Sequence, residues 1–156
     1  MNVVKAISDS FGKHNDVSCF AHTLNLVCEN ALTLEAVKDL VGKCRGIVVW
    51  MRGHVKASDL HKSQSNAGIP EGKMLKLVLD IKTRWNSMYY MLERFIKMVP
   101  YTGQVLVDYD DTPNISSKER QDVSEVLLIL RPLEAMTFQI SGEKYVTLSQ
   151  VIPLIH

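Results

Sequence analysis

The sequence predicts a mainly α-helical chain, and three observations support that prediction. Three stretches of the 156 residues carry apolar side chains in alternating steps of three and four, the spacing of one buried helix face. Polar, turn-forming segments separate these stretches. One segment alone, residues 16–20, has the composition of a strand, and so short a strand is not stable without partners.

The first half of the chain is predicted to hold three helices. Residues 2–11 form a short amphipathic helix that a glycine closes, and residues 22–31 form another. A longer helix begins near Thr33, a good N-cap residue, and its apolar stripe continues to Val55. Residues 58–73 are rich in Ser, Asn, Gly and Pro and are therefore predicted to be a loop.

The second half repeats this alternation. A short extended link at residues 75–80 leads into a striped helix that begins near Trp85, and Pro100 is expected to kink or end it. Residues 108–117 form an acidic loop with turn-forming residues. A third striped helix follows through residues 123–137, and the chain after it contains a further helix start.

Composition excludes several classes of protein. The chain is 46% hydrophobic and 22% charged, as in ordinary soluble domains, and no apolar run approaches the roughly 20 residues of a membrane span. We therefore expect no membrane partner. The three cysteines include no C-x-x-C pair, which argues against a disulfide framework and against a structural zinc site.

The net charge is only +1, but its distribution is uneven. From residue 52 to residue 85 there are seven Lys or Arg and three acids, and from residue 108 to residue 125 there are six acids and two cations. The basic stretch comprises Arg52, Lys56, Lys62, Lys73, Lys76, Lys82 and Arg84. Such a stretch is suited to phosphate, although an unevenly charged surface without a ligand explains it equally well.

Cys19 and His22 have a C-x-x-H spacing that can present two ligands to a metal. Zinc needs four ligands, or three and a water molecule, and the remaining Cys and His residues form no second pair. We therefore predict no metal site. A buried thiol beside a hydrogen-bonded histidine is favoured, and direct contact with a ligand stays the alternative.

Trp85 lies in the string TRWNS at residues 83–87, where a helix is predicted to begin. Its place on the apolar stripe favours a role in the core. Arg84, Lys82 and Asn86 surround it in sequence, and an aromatic ring among such donors at a helix N-terminus is also suited to stacking a base and holding a phosphate. Both interpretations stay open on the residues alone.

No catalytic arrangement is visible in the chain. There is no G-x-S-x-G turn and no Gly-rich phosphate loop, and the acids are scattered singly. The chain is therefore expected not to be an enzyme by itself and to need no cofactor.

Four strings in a fixed order nevertheless resemble the transposase domain of the hAT superfamily and the BED zinc-finger proteins derived from it. They are NVVKA at residues 2–6, CFAHTLNL at residues 19–26, TRWNS at residues 83–87, and LRPLEAMT at residues 130–137. The resemblance extends over nearly the whole chain, and SGEKY at residues 141–145 continues it.

The resemblance implies an RNase H-like fold interrupted by a helical insertion. Residues 1–32 would then be a fragment of the RNase H-like core, with one short strand plus helices, and residues 33–156 would be the helical insertion region. Family transposases hold two divalent metals with a D-D-E triad, whose positions would fall before Met1 and beyond His156. The resemblance places none of these acids on this sequence.

The resemblance also implies DNA contact and a nuclear location. Trp85 matches a tryptophan that stacks on a displaced base, with Arg84, Asn86 and Lys82 beside it, and Cys19 with His22 matches a motif that positions DNA ends. Zinc is implied only for a BED finger outside this sequence, and a homodimer only through a C-terminal region outside it. The alternative is a helical structural or protein-interaction module that does not touch DNA.

Overall fold

The computed structural model describes residues 20–81, 84–107, 109 and 113–142. Within them the chain forms five α-helices and no strand: α1 (Phe20–Leu32), α2 (Glu35–Met51), α3 (His54–Asn66), α4 (Trp85–Val107) and α5 (Ser117–Gly142). A 3₁₀ turn, Glu71–Lys73, lies between α3 and α4. The prediction of a mainly helical chain is thus confirmed for these residues.

The strand and the two terminal helices predicted from the sequence cannot be compared in the same way. Residues 2–11, residues 16–19 and the chain after residue 142 lie outside the described residues. Phe20, the last residue of the predicted strand, begins α1 instead. The division of the chain at residue 32 stays a prediction, although α1 packs against both α4 and α5 in the described part.

Helix α4 is the centre of the core, because it packs against each of the other four described helices. Its inward face carries large apolar side chains that are almost completely buried, among them Met91, Leu92, Phe95 and Met98. Each such side chain contributes about 1.5–3 kcal/mol when it is removed from water. The stripe that the sequence shows in this region is therefore the main packing surface of the domain.

One predicted loop is wrong, because residues 54–66 form a helix. The stripe predicted to continue to Val55 is interrupted at Gly53, whose extended backbone (φ −55°, ψ 142°) ends one helix and starts the next. Helix α3 then buries Leu60, Ser63 and Gln64. These positions have the i, i+3, i+4 spacing of a helix face, but two of the three side chains are polar, so a search for apolar periodicity does not find them.

Helix α3 ends in a hydrogen-bonded glycine turn. Gly68 has a positive φ of 79°, which costs a residue without a side chain little. The amide of Ile69 donates to the carbonyl of Gln64 (3.0 Å), and that of Gly68 donates to Ser65 (2.9 Å). This pair of bonds is the Schellman arrangement, which satisfies the last carbonyls of the helix.

The two prolines within predicted helices do not end them. Pro100 lies inside α4, which continues to Val107, and Pro132 lies inside α5. Both prolines lie at exposed positions of their helices. Beyond Pro100 the hydroxyl of Thr102 donates to the carbonyl of Val99 (3.0 Å), which gives this turn a further hydrogen bond.

Residues 74–81 form neither helix nor strand, as the sequence predicts for the link before α4, and side chains hold them in place. The amide of Leu75 donates to the side-chain oxygen of Gln64 (2.8 Å), and the Gln64 side-chain nitrogen donates to the Leu75 carbonyl (3.0 Å). Arg94 of α4 donates to the carbonyl of Lys76 (3.0 Å). Gln64 therefore supplies the two backbone hydrogen bonds that a neighbouring β-strand would supply in a sheet.

A capping box starts α5. The backbone amide of Ser116 donates to the carboxylate of Glu119 (2.8 Å), and the amide of Glu119 donates to the hydroxyl of Ser116 (3.1 Å). Glu119 also pairs with Lys43 of α2, which ties the two helices together. The ion pair with Lys43 and the bonds to Ser116 lower the pKa of Glu119 from 4.5 to about 2.

Replacing Gln64 with leucine should destabilise the domain. Leucine has approximately the shape of the Gln64 side chain but leaves the Leu75 amide and carbonyl without their hydrogen-bond partners. The Gln64→Leu variant should therefore lose about 2 kcal/mol of the free energy of unfolding. Urea unfolding measures this loss. Gln139→Leu, at an exposed position of α5, is the control and should change stability by no more than about 0.5 kcal/mol. Equal effects in the two variants would contradict the assignment.

Acid should remove the contribution of Glu119 to stability. Because folding lowers its pKa, the ionised carboxylate stabilises the folded state above about pH 4.5, and this contribution disappears as the pH falls toward 2. Thermal unfolding should therefore show Glu119→Gln melting below wild type at pH 6, with the difference shrinking toward pH 2. Glu71→Gln, which changes an exposed carboxylate, is the control. A difference that does not vary with pH would disprove the linkage.

Candidate nucleic-acid interface

The turn that precedes α4 is closed by Ser87. The amide of Ile81 donates to the Ser87 hydroxyl (2.8 Å), whose oxygen lies 2.9 Å from the Ile81 carbonyl and 2.6 Å from that of Arg84. The backbone adds bonds from the Arg84 amide to Ile81 (2.9 Å) and from the Ser87 amide to Arg84 (3.1 Å). The positions of Arg84 and Trp85 are fixed by this turn.

Arg84 and Trp85 point to opposite environments. Arg84 is exposed and Asn86 is half-buried, whereas only 3% of Trp85 is accessible to solvent. The indole is therefore part of the core and presents no ring face to a base in this conformation. Base stacking by Trp85 stays a prediction, and it would require the ring to leave the core.

The other candidate residues lie apart from this turn or outside the described residues. His22 is exposed on the first turn of α1. Cys19 and Lys82 lie outside the described residues, so neither their position nor the C-x-x-H pair can be compared with the prediction.

A groove of about 370 Å³ lies where α1, α2 and the start of α4 meet, and we call it the Arg84 groove. Arg84 and Lys38 provide its exposed cations, and Trp85 borders it from the core side. The remaining lining residues are Glu29, Leu32, Thr33, Val41, Arg45, Asp80, Ile81 and Met88. Arg84 and Lys38 are far apart in sequence, so only the fold brings them together.

A bidentate ion pair forms one wall of the groove. Arg45 of α2 donates from Nε to one carboxylate oxygen of Asp80 (2.8 Å) and from Nη2 to the other (2.5 Å). The Asp80 side chain is 2% exposed, so its charge depends on this partner. The hydrogen bonds to Asp80 raise the pKa of Arg45, and they direct its positive charge toward the aspartate. Lys38 and Arg84 are thus the exposed groove cations that can reach a phosphate.

Neither the Arg45–Asp80 pair nor Lys38 could be predicted from a local sequence pattern. Arg45 and Asp80 are 35 residues apart and belong to no common motif. Conversely, the described cations of the basic stretch at residues 52–85 do not all lie on one surface. Arg52 and Lys76 line a separate cleft of about 540 Å³ beside α3, and Lys62 pairs with Asp59.

The described residues contain no cluster of metal-binding side chains, and their two cysteines are not thiolates at neutral pH. Among them, no three His, Cys, Asp or Glu side chains lie close enough together to hold a metal ion. Burial raises the pKa of the Cys28 thiol to about 11 and that of Cys44 to about 12, which keeps both protonated at neutral pH. None of the described helices is long and apolar enough to span a membrane.

Two comparisons with known proteins find a match. The family model of the ZBED1 RNase-like helical domain matches residues 17–129. The human zinc finger BED domain-containing protein 4 is 29% identical over 147 residues, which cover 93% of this chain and 12% of that protein. The chain thus spans about an eighth of the length of this relative. No solved structure matches the chain.

The effects of Arg45 and Asp80 on the free energy of unfolding should be strongly coupled. Asp80→Ala leaves the Arg45 guanidinium without its carboxylate, and the free energy of unfolding should fall by about 2 kcal/mol, as for hydrogen bonds to charged groups. Arg45→Ala should cost a similar amount, and the double variant should cost clearly less than the sum. Urea unfolding of the cycle measures the coupling. The exposed pair Glu93–Lys97 of α4 is the control, with an expected coupling of about 0.5 kcal/mol. Additive losses at Arg45 and Asp80 would contradict the geometry.

Proposed function

This chain belongs to the family of the ZBED1 RNase-like helical domain, and it is related to BED-type, hAT-derived proteins as its motifs predict. From that premise we propose that it is the helical domain of a nuclear DNA-binding protein and that it contacts DNA phosphates at the Arg84 groove. The observation that supports this most is that two exposed cations from different parts of the chain, Arg84 and Lys38, line the same groove.

The local electrostatics favour an anion at this place. The first amides of a helix carry partial positive charge, and α4 begins at Trp85, directly after Arg84. An arginine can hold two phosphate oxygens at once through its planar fork of donors. Lys38 supplies a second cation from α2. Asn86, on the first turn of α4, stays a candidate contact on the family resemblance. Phosphate contacts of this kind give affinity and position without reading base sequence.

In this proposal Trp85 acts mainly through the core. Its indole is one residue from Arg84 and borders the groove, so its packing sets the direction in which the guanidinium leaves the helix. Cys19, His22 and Lys82 stay candidate contacts on the family resemblance alone. The relation to a protein whose name includes a zinc-finger BED domain supports the nuclear location in this proposal.

Activity and assembly of a whole protein are further proposals. A divalent-metal site, a zinc finger and dimerisation through a C-terminal region would all depend on sequence other than the described residues. The described helices would then serve as a scaffold that presents the groove to DNA.

The alternative function, a protein-interaction module, is favoured by one observation. Helix α5 exposes Leu128, Ile129 and Phe138, each with about 70% of its surface accessible. Exposed apolar side chains of this size are suited to contact with another protein surface. Failure of the chain to bind DNA at low salt would favour this alternative.

Removal of single charges should show whether DNA binds at the Arg84 groove or elsewhere on the surface. We expect Arg84→Ala and Lys38→Ala each to weaken binding to a DNA hairpin about threefold to tenfold at low salt, and to reduce the slope of log K against log salt by about 1. Fluorescence anisotropy over a salt series measures both quantities. Lys118→Ala, which removes an exposed charge at the start of α5, is the control and should leave both nearly unchanged. Equal losses in all three variants would show that binding does not depend on the groove.

A further inference from the structure

Trp50, at the end of α2, and Tyr109, in the segment after α4, form a right-angled corner of two aromatic rings. Their planes meet at 90° and their centroids lie 5.4 Å apart. The ammonium nitrogen of Lys56, on α3, lies 3.5 Å from the Trp50 centroid and 5.5 Å from that of Tyr109. Both distances are within the range of cation–π attraction. The corner therefore already holds an alkylammonium group.

A carboxylate beside this corner holds the Tyr109 ring in place. The Tyr109 hydroxyl donates to Asp59 of α3 (2.9 Å), and Lys62 donates to the other oxygen of the same carboxylate (3.2 Å). These two hydrogen bonds lower the pKa of Asp59, so it is ionised at neutral pH. Aromatic ring faces are the elements with which proteins recognise quaternary ammonium groups.

The corner is also accessible from solvent. Trp50, Tyr109, Lys56 and Asp59 are all half-buried, unlike Trp85, which is part of the core. A half-buried corner can admit a ligand without unfolding of a helix. It shares no lining residue with the Arg84 groove, so its chemistry is separate from DNA contact.

We propose that Trp50 and Tyr109, the latter held by Asp59, form a binding site for a quaternary or methylated ammonium group, which Lys56 of the same chain occupies when no ligand is present. An unmodified ammonium such as that of Lys56 is strongly hydrated, and moving it onto an aromatic ring sacrifices much of that hydration. A quaternary ammonium is weakly hydrated and loses less. The external group therefore displaces Lys56 because the same rings attract it at a lower cost in hydration.

Lys56 sets the affinity of the site. An external ligand binds only while Lys56 is away, so the apparent affinity is reduced by the fraction of time that the corner is vacant. If the lysine vacates the corner about one tenth of the time, its removal raises the affinity about tenfold. The proposal thus makes Lys56 an internal competitor.

Titration with tetramethylammonium chloride tests this on the whole chain. The two tryptophans give separate indole N–H signals in a ¹H–¹⁵N spectrum, so Trp50 reports on the corner and buried Trp85 is the internal control. We expect the Trp50 signal to shift in wild type and to saturate at about tenfold lower concentration in Lys56→Ala, relative to sodium chloride at the same ionic strength. A Trp50 signal in Lys56→Ala that moves no more than that of Trp85 overturns the proposal.

Two variants at Tyr109 distinguish the corner from general ion binding. In the Lys56→Ala background, Tyr109→Phe keeps both rings and should keep binding, whereas Tyr109→Leu removes one ring and should weaken it at least about tenfold. Circular dichroism confirms that each variant is folded, and the phenylalanine variant is the gentler change. Unchanged affinity in the folded leucine variant contradicts the proposal.

Two further titrations identify the source of the ammonium group. Choline represents a free small molecule, and a short peptide with one trimethyllysine represents a protein tail. Binding of either one supports the site and names its ligand class. Equal binding of the same peptide with unmodified lysine contradicts it, because the site would then not prefer the weakly hydrated cation.

Discussion

Residues 74–81 cross between α3 and α4 without a neighbouring strand, and side chains from the helices satisfy their backbone. Gln64 bonds both the amide and the carbonyl of Leu75, Arg94 bonds the carbonyl of Lys76, and Ser87 bonds Ile81. Backbone groups that lie against a core cost free energy when they have no partner. The path of this segment is therefore set by a few polar side chains whose loss apolar packing cannot replace.

The start of α4 depends on that path. Asp80 is the anchor at its end, because its buried carboxylate meets Arg45 of α2 in a bidentate pair. Four residues later the chain directs Arg84 outward and Trp85 inward. A shift of one residue along the helix would turn its side chains by about 100° and exchange these environments. The candidate phosphate contact and the core are thus fixed by the same short stretch of backbone.

The sequence predicted the helices whose buried faces are apolar and missed the one whose buried face is polar. Helices α2, α4 and α5 carry apolar stripes in steps of three and four, and each was found. Helix α3 was predicted to be a loop because Ser63 and Gln64 occupy its buried positions. These side chains are buried because they bond backbone groups elsewhere, at Leu75 and Tyr101, and local sequence carries no sign of such distant partners.

The candidate site was predictable only in part, for the same reason. TRWNS located the turn and the cation. Its tryptophan is compatible with a core, which the apolar stripe favours, and with a stacking surface, and in the structure the indole is buried. Lys38 and Arg45 come to the groove from another helix, and Arg52 and Lys76 of the basic stretch line a different cleft. Phosphate affinity depends on the distance between charges in space. A groove built from one motif residue and two distant cations can therefore be recognised only once the helices are packed.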